Sequence, residues 1–252
     1  MENQTSYTDK VMELCLMAGK IMLESGAETY RVEDTMMRIA ASFGIRESHS
    51  YVTPTGIIFS IEGELTKTKL IRVTERTTDL EKIAEVNSIS RKISSGDLSL
   101  DEAYQSLKEI ESASLQYPFW LQITAASIAS GCFLIMFKGE WRDFIPAMIA
   151  GGVGLVCVTY FHRLVPIKFL AEFLAAFIIG FLSVLFVKIG FGYQLDKIII
   201  GSVMPLVPGL LITNAVRDLM VGHLVSGLSK GAEAFLTALA IGSGIAGILS
   251  FM

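Results

Sequence analysis

The sequence predicts an α-helical membrane protein with five transmembrane helices, the fourth broken at a Pro-x-x-Pro-Gly motif, preceded by a small α+β domain. Three observations carry this prediction. Residues 1–118 hold 32 Lys, Arg, Asp and Glu, whereas residues 119–252 hold 14. The second part contains apolar runs close to the roughly 20 residues that cross a hydrocarbon core. One of those runs carries Pro205, Pro208 and Gly209 in its interior.

The composition shift divides the chain into residues 1–117 and 118–252. The first part is acidic, with 19 Asp/Glu against 13 Lys/Arg. That balance argues against nucleic acid, whose phosphates need clustered cations. Residues 1–25 are mixed polar and show no signal peptide, so the first domain is expected in the cytosol. Cys15, Cys132 and Cys157 lack metal or disulfide spacing and read as structural thiols. No metal or cofactor is expected.

Within the first domain, residues 9–24 place Val11, Leu14, Met17 with Ala18, and Ile21 with Met22 at helical spacing, and Gly26 suits the stop. A second helix is expected over 28–43, ending at Gly44. Residues 51–61 read as extended chain with a bend at Pro54-Thr55-Gly56, and 67–74 alternates so as to pair with it across Glu62-Gly63-Glu64. Capping boxes at Thr78–Glu81 and Ser99–Glu102 open helices over about 79–95 and 100–115.

Two chemical readings of this domain compete with plain structure. His49, Ser50, Thr53 and Thr55 suggest a hydrolase nucleophile and base, but the chain has no nucleophile elbow, HExxH or phosphate loop. Turn chemistry explains those residues more simply. Glu28, Arg31, Glu33, Asp34 and Arg38 read as a solvated helix face, with a docking surface for the membrane half or a partner as the alternative.

The spans are expected over 119–137, 144–161, 169–187, 198–213 and 232–252. Trp120, Trp141, Tyr160 and Tyr193 lie near their ends, where amphipathic rings favour the headgroup layer. Ser127 with Gly131, Ala150 with Gly154, Ala240 with Gly244 and Ser243 with Gly247 form small-xxx-small pairs that let helices approach closely. Each connection carries two Lys/Arg, so positive charge does not choose an orientation. The cytosolic first domain then sets the N-terminus inside.

A proline within a helix costs ~3 kcal/mol unless its surroundings compensate. Two prolines plus a glycine instead favour ending one half-helix and starting another, with Pro208 in the first turn of the new half. Counting from Ile198 puts the break ~10–17 Å into the membrane, near the midplane of a core roughly 30 Å thick. Irregular backbone there must be buried in protein or line a wet cavity. The new half-helix would direct an amide-rich, partly positive end at an anion, as discontinuous transporter helices do. A kink for packing alone is the competing reading.

Beyond the break, Asn214, Arg217, Asp218 and Val221 share one helix face. Arg217 and Asp218 are sequence neighbours, so their partners are expected on other helices. A solvated helix end competes with a binding role for them. Glu172 and Glu233 are candidates for proton or ion coupling, because a charge at the bilayer centre costs at least ~2.5 kcal/mol. His223 is a candidate relay.

ESGAETYRVEDTMMRIAASFG, VTPTGIIFSI and RVTERTTDLEKIAEVNSISRKI resemble the N-terminal domain of the ThrE/YjjP threonine/serine exporter family. PLVPGLLITNAVRDLMVGHLVSGLSKGAEAFLTALAIGSGIA resembles its membrane signature. The resemblance implies a multi-pass exporter of the bacterial inner membrane with a cytoplasmic N-terminal domain. Fused members carry a second bundle of spans. This chain resembles the larger, YjjP-type half of a split transporter, which works with a small, separately encoded membrane subunit of the same superfamily. The family motif residues fall on Pro205, Pro208, Gly209, Asn214, Arg217, Asp218 and Glu233, and in the first domain on Gly26, Glu28, Arg31, Thr53, Pro54 and Gly56.

These readings converge on secondary-active export of a small carboxylate-bearing metabolite, threonine or serine first, with a dicarboxylate such as succinate as the alternative. A membrane-anchored hydrolase and a metabolite-sensing subunit are the rivals. The expected partners are the lipid bilayer, the small subunit and the carboxylate substrate, with a homo-oligomer also open.

Overall fold

A computed structural model describes residues 2–62, 66–113, 117–165 and 167–251. The chain folds as two compact units, Met1–Gln116 with Leu210–Gly231, and Tyr117–Gly209 with Ala232–Met252.

In the first unit, α1 (Glu2–Glu24) and α2 (Thr29–Ser42) precede a three-stranded antiparallel sheet of β1 (Ser48–Thr53), β2 (Gly56–Ile61) and β3 (Lys67–Arg72), followed by α3 (Leu80–Ser95) and α4 (Leu100–Ser112). Gly26 and Gly44 follow the first two helices with φ of +86° and +85°, the left-handed conformation that glycine adopts without a Cβ penalty. β2 is the central strand, with Ile57 opposite Val52 and Ile71. The predicted loop at Glu62-Gly63-Glu64 lies partly outside the described residues.

The core explains why these elements assemble. α1 buries Val11, Met12, Leu14, Cys15, Ala18, Ile21 and Met22, more than one stripe, because α2, α3, α4 and β2 all pack around it. Ile57, Phe59 and Ile61 bury the inner face of β2. Burying a side chain such as Phe59 contributes about 1.5–3 kcal/mol. Burial also pushes the Cys15 thiol up to about 12, so it stays protonated and inert.

Helix starts follow local chemistry. Ser99 and Glu102 form both arms of the expected capping box. At α3 the expected box shifts by one residue: Asp79, not Thr78, is the N-cap, and its carboxylate accepts from the Lys82 amide at 3.0 Å.

In the second unit, α5 (Phe119–Met136), α6 (Phe144–Leu164) and α7 (Lys168–Lys188) coincide with the first three predicted spans. The fourth is a broken pair. α8 (Leu195–Val203) runs into a 3-10 turn at Met204–Leu206, and α9 (Gly209–Val221) starts after Pro208. α10 (Leu224–Leu249) begins eight residues before the expected start at 232. Among the described residues, four helices are long and apolar enough to cross a membrane, or five if the bent pair is one span.

Small residues set the packing distances. A Cβ on Gly151 would fall 1.9 Å from Ser130 Oγ, and one on Gly201 would fall 2.8 Å from the Ser130 carbonyl oxygen. Ser202 donates to the Ala147 carbonyl at 3.1 Å, fastening α8 to α6. The predicted pairs work through bulkier partners: Gly154 admits Ile179, and Gly244 admits the Phe173 backbone. Asp143, fully buried, accepts from the Tyr193 and Gln194 amides at 2.7 and 3.0 Å, where α8 begins. All three cysteines are free thiols, Cys15 buried, Cys157 half-buried and Cys132 exposed on α5.

Candidate functional site

In the second unit, the helix break is built as its sequence demands. Pro205 is in the 3-10 turn, Val207 is extended (φ −65°, ψ 129°), and helix resumes at Gly209. Pro208 thus stands immediately before the first helical residue, one position earlier than expected. It still spares α9 a backbone donor where no helical acceptor exists. A Cβ on Gly209 would meet nothing within 4 Å, and the Gly209 amide donates to the Val207 carbonyl at 2.8 Å.

In the first unit, the continuation of that helix enters a charged network. Asp218 is fully buried and accepts from the Thr29 amide and the Thr29 hydroxyl, each at 3.0 Å. Lys230, 4% exposed, donates to Asp218 Oδ2 at 2.8 Å, and also to the Ala27 carbonyl and Thr29 Oγ1 at 3.1 and 3.3 Å. Every carboxylate oxygen and the ammonium are therefore engaged, as burial of ions requires.

The geometry explains why a carboxylate belongs there. Glu28 occupies the N-cap position of α2 but makes no side-chain cap. Asp218, from 189 residues away, caps the helix instead, where the macrodipole favours negative charge. Glu28 is left to accept from Arg217 at 2.5 Å and from Arg31 at 3.2 Å. Asn214 donates to the Gly26 carbonyl at 2.9 Å. Gly26 is required there, since its φ is positive and a Cβ would come 3.0 Å from the Thr77 carbonyl.

Burial pushes the Glu28 carboxyl up, but its own backbone amide, the Arg217 hydrogen bond and the Arg31 charge outweigh that and hold it below the ordinary range. Glu33 goes the other way. Burial raises it, the Asp218 charge adds to the rise, and the Val52 amide and His223 only partly oppose it. Glu33 Oε1 accepts from the Val52 amide at 2.8 Å, and His223 Nε2 lies 3.8 Å from Oε2. Ser226 donates to the Val52 carbonyl at 3.1 Å.

The predicted residues thus divide. Gly26, Glu28, Arg31, Asn214, Arg217, Asp218 and His223 gather in the first unit, around the N-terminal end of α2. Glu28 is buried, which corrects the solvated-face reading for that residue, while Asp34 and Arg38 do form an exposed i,i+4 pair. Val221 shares the predicted face but is exposed. Thr53, Pro54 and Gly56 close the β1–β2 turn, with Thr53 Oγ1 donating to the Gly56 carbonyl at 3.3 Å. His49 pairs with Glu62 at 3.3 Å on the exposed sheet surface, and Ser50 is half-buried with its hydroxyl shielded from solvent. Pro205, Pro208, Gly209, Glu172 and Glu233 belong to the second unit. Glu172 is buried on α7, with His162 at 3.9 Å. Among the described residues, no group of His, Cys, Asp and Glu is placed to hold a metal ion.

Sequence reasoning missed Thr29 and Lys230. Thr29 lay inside the helix expected over 28–43, and Lys230 counted only as one of the two cations of the last connection. A cation twelve residues beyond Asp218, across a Gly222-His223 turn, follows no helical spacing rule.

Residues 13–252 match a family model described as "Putative threonine/serine exporter". The chain is 25% identical over 237 residues to a "Probable threonine/serine exporter" of Mycobacterium tuberculosis, covering 92% of this chain and 44% of that protein. It is 26% identical over 252 residues to a "Probable succinate transporter subunit YjjP" of Klebsiella aerogenes, covering 97% of this chain and 95% of that protein. A protein of the same description from Escherichia coli is 26% identical over 250 residues, covering 96% of this chain and 94% of that protein. The chain therefore spans less than half of the first relative and nearly all of the other two. No solved structure matches it.

Proposed function

The chain belongs to the threonine/serine exporter family, a family of membrane transporters, and from that premise we propose secondary-active export of a small carboxylate-bearing metabolite across the bacterial inner membrane. Threonine and serine are the first substrates, and the N-terminus is cytoplasmic. A small, separately encoded membrane subunit of the same superfamily completes the transporter.

The observation that carries the reading is the broken helix pair. Irregular backbone at Pro205–Gly209 followed by the start of α9 offers aligned amides to a carboxylate. Asn214, Arg217 and Asp218 continue from that end. Because both Asp218 oxygens are occupied, a substrate ammonium reaches it only by displacing Lys230. We therefore assign Arg217 and Asp218 an anchoring role, since they hold α9 to residues 26–29. Glu172, with His162 beside it, Glu233 and His223 are the proton or ion coupling candidates.

A second reading, export of a dicarboxylate such as succinate, is favoured by coverage. The relatives that this chain spans almost completely carry the succinate description.

Efflux of labelled threonine, serine and succinate from proteoliposomes, with and without the small subunit, tests both readings. Faster efflux of one substrate with the subunit present is expected. If none moves above background with both chains present, export of these substrates is wrong. Pro208→Ala, which lets the helix close across the break, is expected to lower efflux at least about tenfold. Unchanged rate and KM would remove the break from the binding site.

A further inference from the structure

A second site is written on α1. Glu13, Leu16, Met17 and Lys20 follow i, i+3, i+4, i+7 spacing, which puts them in one row along the helix. They line an open trough of about 370 Å³ whose other walls are Lys69, Leu70 and Ile71 of β3 and Tyr104 and Glu111 of α4. Such a volume falls within the roughly 300–1,000 Å³ of small-molecule sites. Nothing in it belongs to the network around Asp218.

Chemistry along the row is ordered. Its middle is apolar, with Leu16 buried and Met17, Ile71 and Tyr104 packed against the core. Each end carries an ion pair, Glu13 with Lys69 at 3.5 Å and Lys20 with Glu111 at 2.7 Å. Two helical turns separate Glu13 from Lys20, about 10 Å. The Lys20–Glu111 pair is tight. The Glu13–Lys69 pair is long for a charge-assisted hydrogen bond, and both side chains are about half exposed. Exposed pairs of this kind contribute little, so opening one costs little.

We propose that this trough binds a zwitterionic α-amino acid with an apolar side chain, such as leucine or phenylalanine. Its ammonium meets Glu13, its carboxylate meets Lys69, and its side chain covers Leu16, Met17 and Tyr104. Both signs of charge at one end of an apolar trough reject a fatty acid and a simple amine alike, because each leaves one partner unmatched. Threonine and serine lack the apolar body that the trough accommodates, so this ligand differs from the proposed cargo.

Equilibrium dialysis of the purified full chain in detergent, with labelled leucine and phenylalanine, tests this without a gradient. The result therefore stands or falls separately from any efflux measurement. Saturable binding at one site per chain is expected, with Kd of roughly 10 μM to 1 mM. 4-Methylpentanoate and 3-methylbutylamine, each lacking one charge, should bind at least about tenfold more weakly. Glu13→Gln and Lys69→Ala change exposed side chains and should leave thermal unfolding unchanged while weakening leucine at least about tenfold. Absence of saturable binding to the unsubstituted chain overturns the proposal. So does leucine binding that neither substitution weakens, since the ligand then sits elsewhere.

Discussion

Replacing Lys230 with Met removes the ammonium from a carboxylate that has no access to water. Asp218 is fully buried and Lys230 is 4% exposed, so the pair belongs to the regime of buried ions, not to that of weak surface pairs. Breaking a buried pair by deleting one partner costs about 3–5 kcal/mol, because the other charge stays desolvated. The two Thr29 hydrogen bonds remain but do not replace a cation. At 1.4 kcal/mol per tenfold, exchange protection of the Thr29 amide should fall by roughly two to three and a half powers of ten, within the limit set by global unfolding. Hydrogen exchange followed by mass spectrometry, over residues 26–32 and 210–221, reads this directly. Adding Asp218→Asn should restore much of the loss. The Asn oxygen can accept from the Thr29 amide, its NH2 can donate to Thr29 Oγ1, and no charge remains. An exchange rate in Lys230→Met within about 0.5 kcal/mol of the parent would refute the reasoning, as would a double variant no better than the single one.

Two further outcomes follow from the packing and the charges. Glu28 has its carboxyl held below the ordinary glutamate range in the folded chain, against burial, by its own backbone amide, the Arg217 hydrogen bond and the Arg31 charge. Its contribution is therefore present above that range and is lost as pH falls through the lower folded value. Thermal unfolding followed between about pH 3 and pH 6 should show a smaller acid loss in Glu28→Gln than in the parent, and an identical pH profile would contradict this. Gly201→Ala forces a Cβ to within 2.8 Å of the Ser130 carbonyl oxygen and 2.9 Å of Leu134 Cβ. The cost should be about 1–3 kcal/mol and appear as a lower unfolding temperature in detergent. Gly242→Ala, where an added Cβ meets nothing within 4 Å, should be neutral or slightly stabilising; equal effects of both would argue against tight packing of α8.

Much of the local structure was legible because it depends on neighbours in sequence. The stops at Gly26 and Gly44, the bend at Pro54-Thr55, the pairing of β3 with β2 and the capping box at Ser99 each need only a few adjacent residues. The first three apolar helices were equally plain, since composition over some twenty residues decides them. Errors arose where a distant group intervened. α10 extends back to Leu224 because the Lys230 charge is neutralised by Asp218, so it does not mark a helix end. Glu28 looked solvated because the helix face rule counts only its own helix, whereas Arg217 of α9 pairs with it from a distant part of the chain.

The sequence by itself determined the family, the helical apolar half, the hairpin of 67–74 with the extended segment before it, and the break at Pro205–Gly209. Each is a property of local spacing, or of residue types read in order. Tertiary structure alone decided that Leu210–Gly231 pack with the first unit and that Asp218 caps α2. No propensity or period encodes either fact. They follow from the free energy of a buried carboxylate, which is low only where an amide, a hydroxyl and an ammonium converge, and only folding brings those three groups to one place.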